Sequence, residues 1–259
     1  MTKVKDIIKI IEDTAPLSLA YSWDNSGFIT GDPEKEVKRI YLTLDVLKDT
    51  VDDAIGKGAD MIISHHPILF RGIQKIDISS HQGYIVQQLI KNDIALYSSH
   101  TSMDCAIGGI NDVLAEKLGL INTEIIVKSE AVCNAGLGRV GDIAAPMTLG
   151  EYAKHVKERL NTPFVRLSGD EKQQISRVAV GSGACGDLID SAQKMGADVM
   201  VTADIKYHIA ADAVDSGIAV IDAGHYPTEM FVIGIFEKLL KDTGIEIIKS
   251  EKRDVFKLV

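Results

Sequence analysis

The sequence predicts an α/β protein made of two similar βαβαβ-type repeats with mixed, mostly parallel sheets. Two observations support this prediction. Short runs rich in β-branched residues alternate with helix-length amphipathic stretches, and one half of the chain resembles the other. Such alternation is typical of parallel sheets, because a helix returns the chain between neighbouring strands.

Six apolar runs are predicted as strands, at residues 40–44, 61–64, 94–98, 178–181, 199–202 and 218–222. Helix-length stretches are found between them, at residues 46–57, 84–91, 187–194 and 209–216. Further helices are predicted for residues 1–16, for 148–160 behind a Thr148/Glu151 capping box, and for 230–241. The glycine-rich segment 136–141 is predicted to form a turn.

Internal similarity is the strongest organisational signal. Residues 39–66 align without a gap on residues 177–204, and both copies contain a Gly-Ala-Asp turn. We interpret the chain as a duplication whose first repeat, residues 1–124, is completed by residues 225–259 and whose second repeat is residues 125–224. No low-complexity linker separates the repeats, so we expect a fixed orientation with a metal site in the cleft between them.

The composition excludes several classes of protein. A formal charge of −9, with no run of more than two Lys or Arg residues, argues against a nucleic-acid groove. No stretch approaches the roughly 20 apolar residues of a membrane span, and the N-terminal segment does not have the pattern of a secretory signal. Three scattered cysteines without a CxxC pair predict buried thiols. We therefore expect a cytoplasmic protein.

Histidines and carboxylates follow the predicted strands. His65 and His66 come directly after the run 61–64, and Pro67 is expected to end that strand. After the repeat-related runs 94–98 and 218–222, the sequence places a His and a carboxylate four residues apart: His100 with Asp104, and His225 with Glu229. Ligands of parallel sheets gather at the carboxyl ends of strands, so these groups are expected at the functional edge.

Mixed imidazole and carboxylate donors indicate a metal site. They suit Zn²⁺, Fe²⁺, Mn²⁺, Co²⁺ or Ni²⁺ better than Mg²⁺ or Ca²⁺. Five or six candidate ligands exceed the three protein ligands of one catalytic zinc, so two divalent transition-metal ions are predicted. Which residue bridges them, and which metal is native, stay open.

At this point the sequence resembles the dinuclear metal-centre hexameric proteins known as GTP cyclohydrolase 1 type 2 homologues, in the short form without an inserted middle domain. The resemblance rests on five motifs: Ala15-Pro16 with Trp23-Asp-Asn-Ser-Gly27, Ser64-His-His-Pro67, His100-Thr-x-x-Asp104, Thr202-x-Asp204 with His208, and Asp222-x-Gly-His-x-x-Thr-Glu229. It implies His65, His66, Asp104, His225 and Glu229 as metal ligands, with His100 beside the metals. It also implies a homohexamer, a trimer of dimers.

The expected function is hydrolysis of a nucleotide or related small molecule. Bound divalent ions lower the pKa of water, and the resemblance implies GTP ring opening with formate release. His100, His208 and Asp204 are the candidates for proton transfer. The alternatives are a phosphoesterase or amidohydrolase acting on another small anion, and a metal-dependent binding or regulatory hexamer without catalysis. The turn segment Trp23–Gly27 is a candidate for the rim of the site or for substrate contact, and Gly181–Gly186 is interpreted as a tight turn with a weaker phosphate-binding alternative.

Overall fold

A computed structural model describes residues 1–257, and within this range the backbone forms two β-sheets flanked by helices. The strands, in chain order, are β1 (Gly27–Thr30), β2 (Arg39–Thr43), β3 (Met61–Ser64), β4 (Ala95–Ser98), β5 (Leu120–Lys128), β6 (Gly136–Thr148), β7 (Arg166–Ser168), β8 (Gln174–Val180), β9 (Val199–Thr202), β10 (Ala219–Asp222) and β11 (Glu246–Lys249). The predicted α/β class is confirmed.

The helices, in chain order, are α1 (Val4–Thr14), α2 (Lys48–Gly56), α3 (His81–Lys91), α4 (Thr101–Cys105), α5 (Ile110–Lys117), α6 (Leu149–Arg159), α7 (Ile189–Lys194), α8 (Tyr207–Ser216), α9 (His225–Glu229) and α10 (Val232–Leu240). The predicted capping box is present at the start of α6, where the Thr148 hydroxyl accepts a bond from the Glu151 amide at 3.2 Å. Among residues 1–257, no helix combines the length and the apolar character needed to cross a membrane.

The chain forms two compact units. The first contains residues 1–106 and 232–253, and the second contains residues 107–231 and 254–257. The sequence placed this division near residue 124. In the structure it comes earlier, because β5 pairs with β6 and α5 packs against both strands, so the segment after residue 106 is part of the second sheet.

Both sheets are mixed, with parallel strands at their centres. The first has the order β1-β4-β3-β2-β11, in which only β1 runs antiparallel to its neighbour. The second has the order β5-β6-β8-β9-β10-β7, with β8, β9 and β10 parallel. Helices α2 and α3 bury Val51 and Leu89 against Tyr41 and Ile62 of the first sheet.

Strand pairing confirms the predicted duplication. Ile40 pairs with Met61 in the first unit, and the aligned residues Val178 and Val199 pair in the second. Each copy also adds a short antiparallel strand, β1 or β7, beside the last parallel strand. The two repeats therefore share topology as well as sequence.

The repeated Gly-Ala-Asp turn has the same function in both copies. Asp60 Oδ2 accepts bonds from the amides of Lys38 and Arg39, at 2.8 and 3.0 Å. Asp198 Oδ2 accepts bonds from Ser176 and Arg177, at 2.7 and 2.9 Å. Because each aspartate precedes one strand and binds two consecutive amides just before or within its parallel neighbour, the turn fixes the register of the parallel pair.

The prediction of a turn at residues 136–141 is wrong. This segment is part of the 13-residue strand β6. A Cβ on Gly136 would lie 2.1 Å from the Val127 carbonyl oxygen, and one on Gly141 would lie 2.7 Å from the Ile121 carbonyl oxygen. The glycines therefore allow β5 to approach closely, a use of glycine that local sequence does not distinguish from a turn.

Candidate metal centre

The His65-His66 pair occupies the carboxyl end of β3. Backbone pairing with the neighbouring strand continues through both residues, whose amides donate to the carbonyl oxygens of Thr43 and Leu44 at 3.3 and 2.9 Å. The two ring centroids are 4.8 Å apart. His65 is fully buried and His66 is partly exposed, so one imidazole lies deep in the site and the other nearer its surface.

His100 and Asp104 follow β4, the strand next to β3. His100 precedes α4, and its carbonyl oxygen accepts the amides of Met103 and Asp104 at 2.8 and 3.1 Å. Its ring centroid lies 5.1 Å from that of His65 and 5.5 Å from that of His66. Asp104 is buried, with Oδ1 3.8 Å from His65 Nε2. The first unit thus gathers three imidazoles and one carboxylate.

The three imidazoles form a candidate ligand set. One nitrogen from each of His65, His66 and His100 lies within 4.8 Å of the other two. Three histidines can hold a catalytic zinc, and a nearby carboxylate extends the choice to other first-row metals. The resemblance placed His100 beside the metals, whereas this geometry makes it a further candidate ligand.

Each ring of this set is oriented by an oxygen atom that faces its Nδ1. The contacts are His65 to the Ser99 carbonyl at 2.9 Å, His66 to Asp45 Oδ1 at 2.7 Å, and His100 to Asp24 Oδ1 at 2.7 Å. Metal-binding histidines use this arrangement, because a proton held on Nδ1 leaves Nε2 as the ligand atom. The donor set therefore fits a transition metal in orientation as well as in chemistry.

Asp24 is the most heavily bonded of these oxygen partners. Besides His100, it accepts the Thr101 hydroxyl and amide at 2.6 and 3.1 Å and the Ser26 hydroxyl at 2.7 Å. Burial alone raises the pKa of this carboxyl, but the bonds from His100, Thr101 and Ser26 outweigh burial and hold it well below its ordinary value. Asp24 is thus a buried anion that fixes His100 and the start of α4.

Replacing Asp24 by asparagine is expected to lower the free energy of unfolding by about 1–3 kcal/mol, because the amide nitrogen would meet donors that need an acceptor. Chemical denaturation measures this loss. The matched control is Asp13→Asn, an exposed carboxylate paired only with Lys9, which should change stability by less than about 0.5 kcal/mol. Equal effects of the two substitutions would contradict the role assigned to Asp24.

In the second unit, His225 and Glu229 lie on the short helix α9 that follows β10. His225 Nε2 is 3.0 Å from Glu229 Oε2, and Glu229 is buried. His225 Nδ1 lies 2.7 Å from Asp204 Oδ2, which repeats the ring-orienting contact of the first unit. A second imidazole–carboxylate pair is therefore in place, again with Nδ1 held.

Gly183 makes room for that pair. It has a left-handed backbone with φ of 59°, and a Cβ there would lie 2.1 Å from Glu229 Oε1 and 3.2 Å from His225 Nε2. Its amide donates to the Thr228 hydroxyl at 3.0 Å. The glycine segment 181–186 thus forms a tight turn, and one of its members also shapes the space around two candidate ligands.

The remaining predicted residues have more open surroundings. His208 is exposed on α8, with its ring centroid 5.4 Å from that of Tyr207. Asp204 is exposed and contacts His225, so its position suits orientation of a ligand at least as well as proton transfer. Cys105, at the end of α4, and Cys185 are buried as predicted, whereas the prediction is wrong for Cys133, which is exposed in the loop between β5 and β6.

Sequence reasoning placed Asp24 and Gly183 in candidate segments without giving either residue a role, and it missed Asp45 as part of the site. Asp45 could have been predicted from its position, because it follows β2 as His65 follows β3. The two strands are parallel neighbours and end at the same edge of the sheet. Asp24 precedes β1 and is far from His100 in sequence, so only the fold brings them together.

Comparison with known proteins identifies the family. A family model described as Duf34/NIF3 (NGG1p interacting factor 3) matches residues 2–254. The chain belongs to the DUF34/NIF3 family. Its length fits the short form that the motifs indicated.

Curated relatives match most or all of the chain. A Clostridium perfringens protein named GTP cyclohydrolase 1 type 2 homolog is 38% identical over 261 residues, covering 99% of this chain and 100% of the relative. A Clostridium acetobutylicum protein of the same name is 41% identical over 240 residues, covering 92% and 90%. The crystal structure of a Bacillus cereus protein related to NIF3 superposes with a TM-score of 0.90 at 27% identity, covering 100% and 99%.

Proposed function

We propose that this DUF34/NIF3 protein is a hydrolase that depends on two divalent metal ions and acts on a nucleotide. The proposed ligands are His65, His66 and Asp104 from the first unit and His225 and Glu229 from the second. The observation that carries the proposal is the repeated ring-orienting contact at Nδ1, which prepares imidazoles in both units to offer Nε2 to a metal.

The donor chemistry supports a catalytic site. When bound, such ions would act as Lewis acids, lowering the pKa of water and polarising a carbonyl or phosphoryl oxygen of the substrate. Neutral imidazoles with two carboxylates leave two divalent ions with net positive charge. That charge would attract an anionic substrate to an acidic protein.

Three side chains of the protein are proposed to transfer protons or to orient a ligand. His100 is not among the five proposed ligands, and its Nδ1 lies 2.7 Å from Asp24 Oδ1, so the ring is held in one orientation to transfer a proton at Nε2. Asp204 would orient His225 through its 2.7 Å contact. His208, exposed on α8, is the proposed carrier between the site and solvent.

The substrate proposal follows the names of the relatives. Proteins from two Clostridium species carry the name GTP cyclohydrolase 1 type 2 homolog, and this chain is about as long as either. We therefore take GTP as the first substrate to test, with hydrolytic opening of the imidazole ring of the purine and release of formate.

Metal-loaded protein incubated with GTP should release formate, and His100→Gln should slow the release by about 10²–10⁴-fold if His100 transfers protons in the transition state. Formate and inorganic phosphate are measured in the same samples. Phosphate without formate would assign the phosphoesterase alternative. Absence of both products with every first-row metal would contradict the hydrolase.

We also propose that the protein assembles as a homohexamer, a trimer of dimers. Residues 72–82 are exposed and include the large apolar side chains of Ile73, Ile76 and Ile78, which association would cover. Light scattering should give six times the chain mass of 28.1 kDa, and Ile76→Glu should lower that mass. A monomer at micromolar concentration would refute the hexamer.

A further inference from the structure

Exposed aromatic side chains surround His100. Trp23 is 61% exposed and Phe70 is 47% exposed. Both meet the His100 ring edge-on, with centroid distances of 6.0 and 5.6 Å and interplanar angles of 76° and 78°. Tyr21 stacks on Trp23 at 6.0 Å. We call Trp23 and Phe70 the aromatic rim.

The rim is held by the same residues that orient His100. Trp23 directly precedes Asp24, whose carboxylate is anchored by bonds from His100, Thr101 and Ser26. The backbone before Phe70 is fixed by Asn25, whose side-chain amide donates to the Leu69 carbonyl oxygen. Because the Trp23–Gly27 segment positions both aromatic rings and His100, the exposed rings are built into the site.

We propose that the aromatic rim stacks against the base of the nucleotide substrate. Aromatic side chains bind bases of any kind through their flat faces, and two such rings at the edge of an imidazole cluster would hold a planar heterocycle beside it. Arg71 follows Phe70 and is exposed, so it could meet the phosphates of the same ligand. The proposal rests on the proposed function for the choice of a nucleotide.

An apolar protein partner is a weaker explanation for the rim. A docking surface would offer aliphatic side chains together with the rings, and Ile73, Ile76 and Ile78 have that character farther along the loop. The rim instead combines two rings with a histidine and is followed by a cationic side chain. That combination is typical of nucleotide recognition.

The sequence contains a single tryptophan, so the emission of Trp23 reports on the rim without a label. Metal-free protein is titrated with guanosine, and inorganic tripolyphosphate serves as a probe that lacks a base. Guanosine should change the emission saturably, and tripolyphosphate should not. A flat response to guanosine would overturn the proposal.

Affinity of the variants for guanosine is measured by calorimetry, which does not require Trp23. Trp23→Ala and Phe70→Ala should each weaken binding by about 5–150-fold, the loss expected for one stacked ring, and Trp23→Phe should restore most of it. The matched control is Phe164→Ala, which removes a 41% exposed aromatic side chain of the second unit and should leave the affinity unchanged.

These measurements separate the rim from the hydrolase. Guanosine binding that depends on Trp23 and Phe70, in a protein that releases no formate, would support the rim and contradict the hydrolase. Turnover of GTP with the same KM in Trp23→Ala and Phe70→Ala would contradict the rim alone. A change in the mass of the assembly in these variants, with unchanged affinity for guanosine, would assign the rings to a subunit interface and overturn the proposal.

Discussion

Gly183→Ala is expected to weaken metal binding by about 10–100-fold, the range typical when a group that positions a ligand is lost. The new Cβ would lie 2.1 Å from Glu229 Oε1, a distance that no relaxed structure retains, so the carboxylate must move. His225 Nε2 lies 3.0 Å from Glu229 Oε2, so movement of the carboxylate would also break this contact. Competition with a chelating indicator measures the affinity.

The variant Gly108→Ala separates the effect of backbone strain from that of the steric clash with Glu229. Gly108 also has a left-handed backbone, with φ of 70°, but a Cβ there meets no atom within 4 Å. Both substitutions place a Cβ on a left-handed backbone, which should lower the free energy of unfolding by about 1–2 kcal/mol. Only Gly183→Ala also displaces Glu229. Equal metal affinities in the two variants would show that Gly183 does not shape the site.

His65→Ala is expected to have the largest effect on metal content. His65 is fully buried, its Nδ1 is fixed by the Ser99 carbonyl oxygen, and its Nε2 lies 3.8 Å from Asp104. Mutation of a residue that only orients a ligand lowers metal affinity by up to about 100-fold. Removal of a proposed ligand should lower it further. Elemental analysis of the purified variant measures the loss.

The control for His65→Ala is His81→Ala, which removes an exposed imidazole at the start of α3. This variant should keep the metal content of the parent protein. If His65→Ala also kept it, while remaining folded by circular dichroism, His65 would be excluded from the ligand set.

The parallel core of each unit was predictable because its signals are local. The strand 61–64 is a short apolar run between turns, and the repeat 177–204 supplied an independent copy of the same pattern. The edge strands β7 and β11 were less visible. Arg166–Ser168 is too short to show a period, and Glu246–Lys249 joins the first sheet through pairing with a strand near the other end of the chain.

The candidate ligands were predictable for a related reason. The carboxyl ends of parallel strands lie at the same edge of a sheet. Residues that directly follow such strands, as His65, His66 and His100 do, can therefore be placed at that edge from the sequence. The contacts that orient their rings depend on tertiary structure. Asp24 reaches His100 across 76 positions of the chain, and no local pattern specifies that pairing.

Glycine was the least predictable residue type. In Gly136 and Gly183 the missing side chain makes room for a neighbouring strand in one case and a carboxylate in the other. Neither use has a local signature, because the atoms that fill the space come from distant segments. The sequence therefore indicated a turn at each segment but not the close packing that the missing side chains allow.

The central proposal is that the five proposed ligands hold two divalent ions. Elemental analysis of carefully purified, metal-loaded protein tests it most directly, on the parent chain and on His66→Ala and Glu229→Gln. We expect two divalent ions per parent chain and a marked loss in each variant. Less than one ion per parent chain, or a Glu229→Gln variant with undiminished metal, would contradict the account.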